Sequence, residues 1–371
     1  MKTNLLGVIN LIHENDELEH LTQSRCLATV PFGARYRLID FVLSSMVNSG
    51  ISKVGVFAHK KYRSLMDHMG SGKNWDLQQH RHSGLFILPP ATDDIQELSR
   101  GDLYHFYQHR DFFNRSPHDY VVITRSYMVC NIDFDAVLRF HQQKGADITV
   151  VCKQHDQPLS GKTRKVRMEG DGRIYAMQDH YGRMISDVSS MEMYVMRRDK
   201  LMELVETSLA QGQDHLVRHA IFSRLHELKV YGYYYDGYLG AVNTLSSFYT
   251  HNRNLLRSDV WRELFYQPGP IFTKVKDEPP ARYEAGSKVT GSLVANGCRI
   301  EGTVVNSVLF RGVHVERGAV VQDSIIMQNG RIGRDSYVYN SILDKDVCVE
   351  AGRDIRGVGT SPYVAGKKKI I

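Results

Sequence analysis

No long apolar run interrupts this 371-residue chain, so nothing in it reaches the length needed to span a bilayer. The opening MKTNLLGVINLIHEND turns acidic where a secretory leader would end in small residues, and the cytoplasm is the expected compartment. Cysteine is sparse. Cys26, Cys130, Cys152, Cys298 and Cys348 are odd in number, widely scattered and free of any CxxC pair, which argues against a disulfide framework and against a zinc site. Neither sign of charge dominates: 47 basic and 41 acidic residues leave a net charge of +6. There is no basic run interleaved with aromatics, so nucleic acid is not an expected partner, and Lys367 to Lys369 read as a solvated tail.

What is present is enough for two cores, with 42% hydrophobic and 24% charged residues. From Leu5 to about Val151, short apolar runs alternate with helical patterns. Leu5 to Asn10 is a strand candidate; a helix from Arg37 to Asn48 is closed by Gly50, and Lys53 to Ala58 is the next strand. Tyr120 to Thr124 (strand), Asp133 to Lys144 (helix, closed by Gly145) and Ile148 to Cys152 (strand) continue the order. Repeated β-α-β order predicts an α/β domain with a doubly wound, largely parallel Rossmann-type sheet over residues 1–256. Pro268, Pro270, Pro279 and Pro280 amid charges mark 257–286 as a linker.

Beyond it the apolar residues fall six apart: Val294 and Ile300; Leu309, Val315 and Val321; Ile326, Ile332 and Val338; Leu343 and Val349. The groups restart about every three hexapeptides, with Asn, Asp, Gly and Ser between them, as the corners of a three-sided parallel β-helix require. That fold is expected for 287–371. Antiparallel hairpins would instead show period-two alternation and two-residue turns.

Ligands of an open parallel sheet sit beyond the carboxyl ends of its strands, so the loop after Leu5 to Asn10 is the first candidate site. A phosphate-binding loop there needs glycines, which let backbone N–H groups approach the anion, and a basic residue. The chain has Leu11-Ile12-His13-Glu14-Asn15-Asp16-Glu17-Leu18-Glu19, with no glycine and four carboxylates. A triphosphate would be repelled.

Longer motifs follow: Leu21-Thr22-Gln23-Ser24-Arg25, Val30-Pro31-Phe32-Gly33-Ala34-Arg35-Tyr36-Arg37-Leu38-Ile39-Asp40-Phe41, Leu43-Ser44 and Val47-Asn48-Ser49-Gly50-Ile51. Further along stand Ile87-Leu88-Pro89-Pro90, Tyr107-Gln108, Asp133-Phe134, Ser190-Met191-Glu192-Met193-Tyr194 and Gly237-Tyr238. Together they resemble the glucose-1-phosphate adenylyltransferases, the ADP-glucose pyrophosphorylases, over nearly the whole chain. The resemblance implies a nucleotidyltransferase-like domain followed by a left-handed parallel β-helix.

The departures from that family are chemical. Its loop reads Gly-Gly-x-Gly-Thr-Arg-Leu; aligned without gaps, its glycines fall on Ile12, His13 and Asn15 and its arginine on Glu17. Its Arg-Ala-Lys-Pro becomes Arg25-Cys26-Leu27-Ala28. Its Gly-Asp-His, which resembles a magnesium-binding carboxylate motif, meets Ser126-Tyr127-Met128, and its second magnesium aspartate meets Ala241. Mg²⁺ prefers carboxylate oxygens, and none stands at either position. The sugar-pocket motif Gly-Thr-Ala-Asp-Ala aligns with Gly101-Asp102-Leu103-Tyr104-His105, and Glu-Lys-Pro with Met177 to His180, where no lysine remains. Nucleotidyl transfer depends on charge neutralisation around the reacting phosphorus. Each lost contact is worth on the order of 3 kcal/mol, and several together remove about six decades of rate. No catalytic or metal-binding residue and no cofactor is therefore assigned to this chain, and Tyr104, Tyr127 and Tyr238 are expected to help fill the old pocket.

Other residues read more simply. His105 and His109, four apart on a helix, lack an acidic or cysteine partner and read as structural; His80 and His82 as solvated; His314 as a coil residue, not an acyltransferase base. Arg25, Arg35, Arg37, Lys60, Lys61 and Arg63 persist where the catalytic charges do not. By the resemblance, basic residues of this region contribute to binding an anionic effector; the alternative is a solvated face. The family works as a tetramer and includes a non-catalytic sister of the catalytic subunit. The resemblance thus implies a hetero-oligomer in which the partner holds Mg²⁺ and makes ADP-glucose from ATP and glucose 1-phosphate. Two other readings stay open: an active enzyme in which Asp102, Asp133 or Asp236 has moved into a ligand position, and a stand-alone sensor of sugar phosphate or nucleotide.

Overall fold

The computed structural model describes residues 3–80, 83–90, 99–155, 162–181 and 188–371. His82, read above as solvated, lies outside them. The chain forms two compact units. The first comprises Met1–Asn15, Phe41–Leu239 and Gln267–Phe272; the second comprises Asp16–Asp40, Gly240–Tyr266 and Thr273–Ile371.

The first unit is built on a nine-stranded sheet. Its main elements in chain order are β1 (Leu5–Asn10), α1 (Leu38–Asn48), β2 (Lys53–Phe57), β3 (Gly84–Leu88), α2 (Asp102–Gln108), β4 (Tyr120–Thr124), α3 (Phe134–Lys144), β5 (Ile148–Gln154), β6 (Lys162–Met168), β7 (Ile174–Tyr181), β8 (Val188–Arg197), α4 (Arg198–Ala210) and β9 (Val230–Tyr234). β1 lies between β2 and β4, parallel to both, and β2 is parallel to β3. All six residues of β1 are buried, as expected of a central parallel strand covered on both faces. Gly50 and Gly145, with φ of 81° and 53°, close α1 and α3 in the left-handed conformation that glycine adopts without strain.

Beyond β4 the sheet departs from the parallel order. β8 runs antiparallel to both β4 and β5, and β6 and β7 form an antiparallel pair beside it. β9 returns parallel to β5. The core of this unit joins Leu6 and Val8 of β1 to Val121, Val150, Met196 and Val230 of the other strands and to Leu103, Phe106, Leu201 and Leu204 of the helices.

The second unit carries the left-handed parallel β-helix, three five-stranded parallel sheets that share one core. Val315 stacks on Ile332 and Ile332 on Val349; Val321 stacks on Val338, and Ile326 on Leu343. These are the residues spaced six apart in the sequence. Corners turn at Asn306, Asp323, Asn329, Asp335, Asn340 and Asp346, all at positive φ, where short polar side chains tolerate the left-handed backbone best among non-glycine residues. A column of serines lines one edge. Ser292 Oγ accepts from Ser307 N, Ser307 Oγ from Ser324 N, and Ser324 Oγ from Ser341 N, at 3.0–3.1 Å.

Two longer helices belong to this unit. α5 (Leu245–Asn254) opens on a capping box between Thr244 and Ser247 and reaches the Asp323 corner through Tyr249 Oη, which donates to the Asp323 carbonyl, and Arg253, which bonds its carboxylate. α6 (Ser258–Tyr266) lies in the stretch read as linker. Its Val260, Leu264 and Phe265 are buried, and Phe265 packs against Tyr36 and Trp261. The prolines that marked the linker fall after the helix and end it.

Candidate functional site

The loop that leaves β1 is held by its own side chains. Asn10 Oδ1 accepts from Ile12 N at 3.0 Å, and Ile12 is buried. His13 adopts φ of 50°, a left-handed conformation at one of the positions where the resembling loop has glycine. Arg125, just after β4, donates to the carbonyls of Asn10 and Ile12 at 2.9 and 2.7 Å.

Glu14 decides what the loop can receive. Its carboxylate accepts from Ser126 N at 2.7 Å and from Ser126 Oγ at 2.9 Å. An anion of the protein thus occupies the ends of β1 and β4, where a phosphate or its metal would need to sit, and charge-assisted bonds of this length are strong. Asp102 Oδ1 accepts from Leu216 N at 2.7 Å, and its Oδ2 from Asn10 Nδ2 at 2.9 Å. Asp133 caps α3 by accepting from Asp135 N, and Asp236 is exposed. Among the described residues no group of three His, Cys, Asp or Glu side chains is arranged to hold a metal ion. With Ser126 and Tyr127 at one family metal position and Ala241 at the other, the donor set does not fit Mg²⁺.

Imidazoles line the same edge. Ring centroids of His13 and His59 lie 4.8 Å apart, those of His59 and His105 6.1 Å, and those of His13 and His215 6.4 Å. His105 is 3% exposed and its Nε2 has no partner among the described residues. Burial, then His59 and His13, lower its pKa to about 4, so it is neutral near pH 7. Where the family's Glu-Lys-Pro aligns, Asp179 is bonded by Arg164 at 2.8 Å and by Arg218 at 3.0 Å. Arg164 also bonds Glu192 and the Tyr194 hydroxyl. Tyr127 is buried as expected, and burial followed by Glu192 pushes its phenol pKa far up.

The basic residues singled out in the sequence are divided between the units. Lys60, Lys61 and Arg63 belong to the first and are exposed. Arg25, Arg35 and Arg37 belong to the second, where Arg35 stands over the ring of Tyr36. Arg25 is 5% exposed and ion-paired with Asp344 of the β-helix, and its Nη1 has no partner among the described residues. Lys345 follows Asp344. Burial is the largest influence on it, and Arg37, Arg25 and Lys276 add to it against Asp344; its pKa falls to about 7. Arg25, Arg37, Lys276 and Lys345 therefore form one electropositive group. Sequence reading named the first two and missed the lysines, which gave no signal because Asp344 lies 319 positions from Arg25.

His314 Nε2 lies 3.0 Å from the Glu301 carboxylate, as a residue of a β-helix coil. His109 Nε2 meets the Pro89 carbonyl at 2.8 Å. Among the described residues no disulfide joins the five cysteines, and Cys130, Cys152 and Cys298 are buried. Among the described residues no helix is long and apolar enough to cross a membrane.

Comparison with known proteins agrees with this geometry. Residues 16–229 match the nucleotidyl transferase family, and residues 279–361 match the GlmU-like C-terminal hexapeptide family. The chain is 37% identical to the glycogen biosynthesis protein GlgD of Bacillus subtilis (strain 168) over 363 residues, 98% of this chain and 96% of that one. It is 42% identical to GlgD of Geobacillus stearothermophilus over 322 residues, 86% and 84% of the two chains. A glucose-1-phosphate adenylyltransferase of Clostridium perfringens (strain 13 / Type A) is 30% identical over 384 aligned positions, covering 100% and 96%. The chain belongs to the nucleotidyl transferase family that comprises the glucose-1-phosphate adenylyltransferases and the GlgD glycogen biosynthesis proteins.

Proposed function

We propose that this chain is a non-catalytic regulatory subunit that pairs with a catalytic glucose-1-phosphate adenylyltransferase and raises or tunes its synthesis of ADP-glucose for glycogen. The observation that carries the reading is the Glu14 carboxylate seated on Ser126 N and Oγ. A phosphate arriving there would meet a fixed negative charge, and removing that charge would still leave Tyr127 and Ala241 at the metal positions. The relatives' names supply the setting: glycogen biosynthesis for GlgD, and the adenylyl transfer itself for the clostridial protein.

A fold that keeps its family's scaffold without the chemistry acts through its surfaces. Stimulation requires that the chain bind the partner's active state better than its inactive state, and a difference of about 1–3 kcal/mol changes an affinity 5- to 150-fold. The electropositive group of Arg25, Arg37, Lys276 and Lys345 supports an anionic effector on this subunit, with Arg35 on the same segment.

The test is pyrophosphate release from ATP and glucose 1-phosphate by this chain, by a catalytic subunit, and by their mixture. The mixture should exceed the sum of the two, with this chain near background. Turnover by this chain alone at the catalytic subunit's rate would favour an active enzyme with a rebuilt site. No turnover alone and no stimulation on mixing would leave the stand-alone sensor.

A further inference from the structure

The sheet of the first unit offers a second place where parallel strands end side by side. β5 and β9 are parallel, from Val230 against Ile148 to Tyr234 against Cys152. The antiparallel β8 lies between this pair and β4, so β5 and β9 end on the same carboxyl edge as β1 and β4, further along the sheet from Glu14. Open α/β sheets bind ligands beyond the carboxyl ends of their strands. A cavity of about 450 Å³ lies there, lined by Lys153 and Gln154 at the end of β5 and by Tyr234, Tyr235 and Asp236 at the end of β9.

Its floor is fixed by committed polar groups. Lys153 Nζ donates to the carbonyls of Asp236 and Gly237, at 2.8 Å each, and stands 5.5 Å from the centre of the Tyr235 ring. The Tyr235 hydroxyl lies 3.1 Å from the Asn131 carbonyl and 3.3 Å from that of Tyr238, within donating distance of both. Gly237 is required for this packing, since a Cβ there would fall 2.3 Å from the Tyr235 hydroxyl. Tyr234, 48% exposed, and the exposed Gln154 and Asp236 complete the lining.

Lys153 and Asp236 balance in charge, so the cavity selects neither a phosphate nor a cation. An exposed aromatic ring beside a planar amide and a planar carboxylate matches a pyranose. The ring covers the C–H face of the sugar, while amide and carboxylate reach its hydroxyls as donors and acceptors. We propose that this cavity binds a neutral pyranose unit of an α-glucan chain. The choice of glucan rests on the glycogen-biosynthesis reading above; the cavity's preference for an uncharged sugar rests on its lining alone.

The test is saturation-transfer NMR of maltotriose with the full chain. Wild type should show transfer. Tyr234→Ala and Gln154→Ala should each weaken binding about tenfold, Tyr234→Trp should retain it, and all three should melt with the wild type because both positions are exposed. Absence of transfer with wild-type protein, or equal transfer to the Tyr234→Ala variant, overturns the assignment. Stimulation of the catalytic subunit is read in a separate assay, so a failure of maltotriose binding leaves that reading standing, and the converse holds.

Discussion

At the scale of single residues, imidazoles gather at the end of β1. His105 has a folded pKa of about 4, against 6.5 for the free side chain. The folded protein therefore favours the neutral ring. Its contribution is fully present above pH 6.5 and is lost as the pH falls toward 4, because the unfolded chain binds the proton first. Asp102 opposes the effect, while His59, His13 and His109 reinforce it. His141 and His251, also lowered to about 4 by burial, act with the same sign. Urea unfolding at pH 7 and pH 5 should show the wild type losing stability. His105→Asn should lose less over the same interval, by about 1–2 kcal/mol after allowance for solvent screening. An identical pH dependence in the two proteins would show that this ring titrates normally.

Among the elements, the β-helix depends on buried polar columns as much as on its apolar stacks. Ser324 Oγ accepts from Ser341 N and donates to the Gln322 carbonyl, and Ser307, Ser324 and Ser341 are fully buried. Ser324→Ala removes the acceptor while leaving the Ser341 N–H inside. The cost should be about 1–3 kcal/mol, read as a lower urea midpoint, whereas a surface exchange such as Lys288→Gln should fall within about 0.5 kcal/mol of wild type. The period that marks these coils was open to sequence reading, since inward residues recur six positions apart and each stacks on its counterpart one coil on. So were α1 and α3, each closed by a left-handed glycine. The reversal at β8 was not, because an apolar run does not encode strand direction. α6 was hidden for another reason: prolines and charges dominate its neighbourhood, and its few buried residues made too weak a signal. The missing glycines were legible one by one, but what replaced them was not. Glu14 and Ser126 are 112 positions apart, and only folding shows that the loop carboxylate expected to repel a triphosphate is bonded to Ser126.

For the whole molecule, the charge gathered in the second unit is the feature to test. There Arg25 Nη1, buried and without a partner among the described residues, belongs to the same group as Lys345, whose pKa falls to about 7. An anion bound by Arg25, Arg37, Lys276 and Lys345 would stabilise the folded state by mass action, so inorganic phosphate should raise the melting temperature of the pure chain. It would also favour the charged form of Lys345, whose pKa lies near 7 before the anion arrives. At pH 8 binding should therefore take up a fraction of a proton from solution. Calorimetry in two buffers of different ionisation enthalpy measures this uptake directly. Lys345→Gln should abolish the uptake and weaken phosphate by about tenfold without the unpaired buried carboxylate that Arg25→Ala would leave on Asp344. If phosphate binds with no proton uptake, or binds Lys345→Gln as tightly as wild type, the anion sits elsewhere and the exposed Lys60, Lys61 and Arg63 become the next residues to test.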